Sequence, residues 1–87
     1  MEQSELAGEF DTEVVVALTK AEALVLFDWL HRLEDQGQDA SADPAERVAV
    51  ENLSALLERA LVEPFQPNYR EVVGAARAHL AQDAERE

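Results

Sequence analysis

Glu13–Leu33, EVVVALTKAEALVLFDWLHRL, decides the fold. It begins as an apolar run and becomes the most apolar helix candidate in the chain. Val14, Val15 and Val16 are stiff at χ1 and favour an extended backbone. At Thr19-Lys20-Ala21-Glu22 the pattern changes to that of a capping box. The Thr19 hydroxyl accepts from the amide of residue 22, and Glu22 reaches back to the amide of Thr19. Glu22 also lies in the first turn, where the helix dipole favours an anion. The helix is predicted over about 20–36, with Gly37 as a left-handed C-terminal residue. Ala23, Leu26, Phe27, Leu30 and Leu33 form one stripe at helical spacing, and Val25 and Trp29 lie one turn apart on another side. An amphipathic surface helix needs a single stripe, so this helix is expected to be covered on two sides. A protein contact at Val25 and Trp29 is the competing reading of the surplus.

Two more helices follow. Residues 37–43, GQDASAD, read as a loop of small, turn-forming residues. Asp43-Pro44-Ala45-Glu46 supplies an N-cap, a proline at the first helical position and an acid in the first turn. The second helix is expected to reach about Val62, with Val50, Leu53, Leu57, Ala60 and Leu61 buried and Ala49 and Leu56 beside them. The EPFQP stretch, 63–67, breaks it with two prolines, and Phe65 is expected to plug the edge of the core. Asn68-Tyr69-Arg70-Glu71 opens a third helix, with Tyr69, Val72, Val73, Ala76 and Leu80 as its apolar stripe. Gly74 inside it marks either a close helix approach or a tolerated defect. The fold class is mainly α: a three-helix domain over 13–81 preceded by one short β-strand or extended arm. Residues 1–12 form an acidic tail before it and 82–87 one after it.

Length and charge set the outer bounds. The chain has 87 residues, 47% of them hydrophobic, enough for one domain with a thin core. No apolar run approaches the roughly 18 residues of a membrane span, so no membrane association is expected. The acidic MEQSELAGEF start has no basic region and does not read as a signal peptide, which makes a cytoplasmic location the expectation. With no cysteine, disulfide and thiol chemistry are closed. Asp and Glu number 19 against 7 Lys and Arg, for a net charge of −12. Such a surface repels nucleic acid and favours either a basic protein partner or simple solubility.

Chemistry-bearing motifs are scarce. Asp28, His31 and Asp35 share one helix face, and His79 and Asp83 form an i,i+4 pair. A metal centre needs three or four converging ligands, which these spacings alone do not supply. The hydroxyls of Ser4, Thr12, Ser41 and Ser54 have no nucleophile-elbow context, and Gly8, Gly37 and Gly74 make no phosphate loop. No catalytic residue, metal or cofactor is therefore expected. Glu22–Phe27 (EALVLF), Glu63–Phe65 (EPF) and Asn68-Tyr69 resemble a family of small bacterial, actinobacterial proteins, over about residues 14–80. The resemblance implies a soluble bacterial protein and attaches no site chemistry to any residue.

The expected function is a non-catalytic protein–protein interaction module, or, as the alternative, an immunity protein or antitoxin covering a basic toxin or nuclease. The partner-binding residues are expected to be Val14, Val15 and Val16 with Val25 and Trp29. A lone strand at 13–18 leaves unpaired amides and carbonyls. Folding back on residues 5–10 makes a poor hairpin across Gly8. Pairing with the same segment of a second copy satisfies both edges, so a homodimer is expected.

Overall fold

The computed structural model describes residues 8–36 and 43–86. The chain is mainly helical, with three long α-helices: α1 (Lys20–Asp35), α2 (Pro44–Ala60) and α3 (Tyr69–Arg86). A 3-10 turn, Glu63–Phe65, joins α2 to α3. Residues 8–10 are also helical, and the Thr12 amide then donates to the Glu9 carbonyl at 3.1 Å.

α1 starts where its cap dictates. The Thr19 hydroxyl accepts from the Glu22 amide at 3.1 Å, and the Thr19 amide donates to Glu22 Oε1 at 2.9 Å. The helix closes at Gln36, whose amide donates to Arg32; Gly37 lies outside the described residues. α2 is capped by Asp43, whose Oδ1 accepts from the Ala45 amide at 2.7 Å, with Pro44 in the first turn. It ends earlier than its sequence suggests. Leu61 is already extended, at φ −107° and ψ 140°, and still donates to Leu57.

α1 is the centre of the molecule. It packs more extensively against α3 than against α2, and α3 also touches the 3-10 turn. Ala23, Leu24, Phe27 and Leu30 of α1 are buried with Leu57 and Leu61 from the α2 side and Ala76 from α3. Val25, Leu26 and Leu33 pack half-buried around them, which is how the width of α1's apolar surface is used. The ring edge of Phe27 meets Tyr69 at 6.4 Å between centroids and His31 at 4.2 Å, both T-shaped.

Four expectations are corrected. Residues 13–19 form neither helix nor strand, and no strand exists among the described residues. Their β-branched side chains suit an extended backbone, but a ladder needs a neighbour and the described residues offer none. α2 is rolled relative to its expected face: Val50, Ser54, Leu57 and Leu61 turn inward, and Leu53 and Ala60 are exposed. Phe65 is 74% exposed, while Glu63 two residues earlier is buried. The cause is Lys20, whose Nζ lies 2.8 Å from Glu63 Oε2 and draws the carboxylate inward. Finally, α3 runs on to Arg86, through residues that read as a fraying tail.

Gly74 makes no close approach. A Cβ built there meets nothing within 4 Å, and its backbone is ordinary helix. Gly74→Ala therefore restricts the unfolded chain without a clash and is expected to stabilise the domain by about 0.5–1 kcal/mol. A thermal melt should rise by roughly 3–6 °C. An unchanged or lower midpoint would mean that the helix needs the glycine's freedom.

Candidate interaction surface

Val14, Val15 and Val16 are 76–85% exposed, so the run touches almost nothing of its own chain. It leads into the capping box, and Lys20, the first residue of α1, fixes where it starts. The Lys20–Glu63 bond joins this point to the 3-10 turn, 43 residues away in sequence. Leu18 on one side of that bond, and Val62 and Phe65 on the other, are exposed too.

The Glu63 carboxyl is held below the ordinary carboxylate range, chiefly by the Lys20 hydrogen bond and then by backbone amides of the turn, against the opposing effect of burial. Its second oxygen, Oε1, is buried without a protein donor. The Lys20 ammonium, which bonds the other oxygen, is itself largely exposed.

Val25 and Trp29 do not join the arm. Val25 is half-buried against the core, and Trp29, 47% exposed, looks away from it. Trp29 is ten residues beyond Thr19, about 15 Å along the helix. The five expected contact residues thus fall into an exposed arm of three, a half-buried Val25 and a separate indole. Sequence reasoning missed Val62 and Phe65 as surface. The signal that could have found them is the lysine at the start of α1, the single lysine of the chain, opposite the single acid of the EPF turn.

The polar groups of α1 tie helices together. Arg77 Nη2 of α3 donates to Asp28 Oδ2, and Arg32 Nε lies 3.4 Å from the same oxygen. Asp28 also acts on Tyr69, whose pKa it helps to raise. His31 packs edge-on to Phe27 and has Nδ1 3.7 Å from Glu34 Oε2. Asp28, His31 and Asp35 therefore do not converge, and no cluster of three metal-ligating side chains exists among the described residues. His79 is exposed on α3.

Burial raises the pKa of Tyr69, and the charge and hydrogen bond of Asp28 raise it further, with Arg77 opposing. A group whose folded pKa lies above its unfolded value of 10.0 contributes stability below pH 10, lost as pH rises through the folded pKa. The chain has one tyrosine, so phenolate absorbance reads this group alone. Its midpoint is expected above 10 when folded and near 10 in denaturant, and Asp28→Asn should lower the folded value. A folded midpoint equal to that of free tyrosine would remove Tyr69 from the cluster.

No described helix is long and apolar enough to cross a membrane. Comparison with protein-family models, curated proteins and solved structures finds no match to the chain.

Proposed function

We propose that this chain is a small, non-catalytic protein–protein interaction module that self-associates as a homodimer in the cytoplasm. The observation that carries this is the arm: three consecutive valines, 76–85% exposed. A contiguous apolar surface on an acidic chain is where a partner gains most by excluding water. The same segment of a second copy would supply the ladder that the described residues of one chain do not form. The polar clusters support the non-catalytic reading, since Asp28 and Glu63 are engaged in holding α3 and the turn to α1. Light scattering at tens of micromolar is expected to read a dimer. Val15→Pro, which deletes an amide donor and fixes φ, is expected to shift it toward monomer. A monomeric unmodified protein would sink the self-association; an equally tight dimer in the variant would move the contact off the arm.

The net charge of −12 favours a second reading, in which the acidic surface covers a basic toxin or nuclease as an immunity protein or antitoxin. Electrostatic steering predicts that association with such a partner slows steeply as salt rises. A flat on-rate between low and physiological salt would exclude that role for the charge.

A further inference from the structure

Lys20 is the only lysine of the chain, and it stands where a cation gains least. It is the first residue of α1, at the end of the helix where the dipole favours anions. What holds its ammonium there is Glu63, 2.8 Å away on the 3-10 turn. The two partners differ in exposure. The lysine side chain is 64% exposed and the glutamate side chain 11%. Glu63 Oε1, moreover, is buried with no donor among the described residues. The carboxylate therefore depends on the charge of Lys20, while a reagent in solvent reaches Lys20 directly. A buried carboxylate that loses its counter-charge has to turn out to water or take up a proton.

We propose that Lys20 is an acylation site, and that acylating it releases Glu63 and opens the 3-10 turn between α2 and α3. The donor is a small activated acyl compound, an acyl phosphate. The ammonium first gives one proton to water. The electron pair of Nζ then adds to the acyl carbon and an N–C bond forms. The C–O bond to phosphate breaks with its electrons leaving on oxygen, and a second proton passes from nitrogen to the departing phosphate. The product is a neutral amide, which still offers an N–H but no charge. The turn is poised for release because little else closes it. The Phe65 amide donates to Val62 at 3.1 Å and the Gln66 amide to Glu63 at 3.0 Å. No described side chain caps it. Phe65 is already 74% exposed, so its ring does not anchor the turn. α1 keeps its start, since Thr19 and Glu22 bond each other without Lys20. The effect is confined to the turn and the α3 end it touches. None of this depends on self-association.

The full chain is treated with acetyl phosphate at neutral pH, and acetylation is located by peptide mass spectrometry. Lys20→Arg is treated in parallel: it keeps the charge and leaves the terminal amine as the target. Reductive methylation with formaldehyde gives a third sample, in which Lys20 is modified but still cationic. Lys20 of the unmodified chain is expected to be acetylated. The Phe65 and Gln66 amides should then exchange with deuterium about tenfold faster, or more. The Ala23 amide, which donates to Thr19 at 2.9 Å in the first turn of α1, should exchange as before. The Glu63 carboxyl, followed by NMR, should titrate at the ordinary 4.5 or higher instead of below it. Treated Lys20→Arg and the methylated chain should both keep the slow exchange. Glu63→Gln should lose the response to acetylation, because no charge remains to be stranded. A Lys20 that stays unmodified while a free lysine peptide in the same tube reacts would overturn the site. Equal turn exchange in the acetylated and methylated chains, or a response that survives Glu63→Gln, would overturn the release of the turn.

Discussion

Leu30→Ala is expected to cost about 3 kcal/mol and to lower the thermal midpoint by roughly 12–24 °C. Leu30 is only 2% exposed and sits on the helix that contacts both of the others. Its removal takes away the transfer free energy of the side chain and leaves a cavity that three short helices close incompletely. An 87-residue domain has a total stability on the order of 4–13 kcal/mol. The variant is thus expected to be partly unfolded at ordinary temperatures or to lose its cooperative melt. Phe65→Ala is the matched control. It deletes a larger side chain, but one that is mostly exposed, and should change stability by less than about 0.5 kcal/mol. Similar costs for the two would place Phe65 in the core and refute the inward orientation of Glu63.

The second large effect is expected at Asp28. Asp28→Asn preserves shape but removes the charge that Arg77 and Arg32 share. Hydrogen bonds to charged groups contribute about 1.5–3 kcal/mol when shielded. Both ends of this pair are partly solvated, the Asp28 side chain at 26% and that of Arg77 at 41% exposure, so the expected loss is about 1–2 kcal/mol. A double-mutant cycle with Arg77→Met isolates the link between α1 and α3. Coupling above about 0.5 kcal/mol is expected, and additive losses would show that the two charges act independently.

What the sequence reveals here is what depends on neighbours along the chain. The capping box at Thr19 and the cap at Asp43 are complete within four residues, and both are legible. So is the central place of α1, because a helix with apolar residues on several sides must be covered on more than one. What the sequence hides depends on distant partners. Two stripes of α2 compete, and the surface of α1 selects the one with Ser54. The EPF turn faces inward through Glu63 because a lysine 43 residues earlier lies within reach. Asp28 finds Arg77 across 49 residues, a pairing no local pattern announces. The three valines read as a strand because β-propensity is local, whereas a ladder requires a second backbone. The contact residues separate for the same reason. Val14, Val15 and Val16 precede the cap and stay outside, while Val25 lies within α1 and is drawn against its core.

The reciprocal bonds between Thr19 and Glu22 also act as an insulator. A helix ordinarily communicates with the chain before it by gaining or fraying residues at its first turn. Here the Thr19 amide and hydroxyl are both committed to Glu22, so α1 keeps its starting point whatever the preceding residues do. Ordering the arm on a partner costs about 1–2 kcal/mol of backbone entropy per residue, and that cost falls on the arm alone. Its affinity can be retuned by substitutions at residues 13–18 without disturbing the register of α1. Occupancy of the arm, in turn, does not propagate into the helical core.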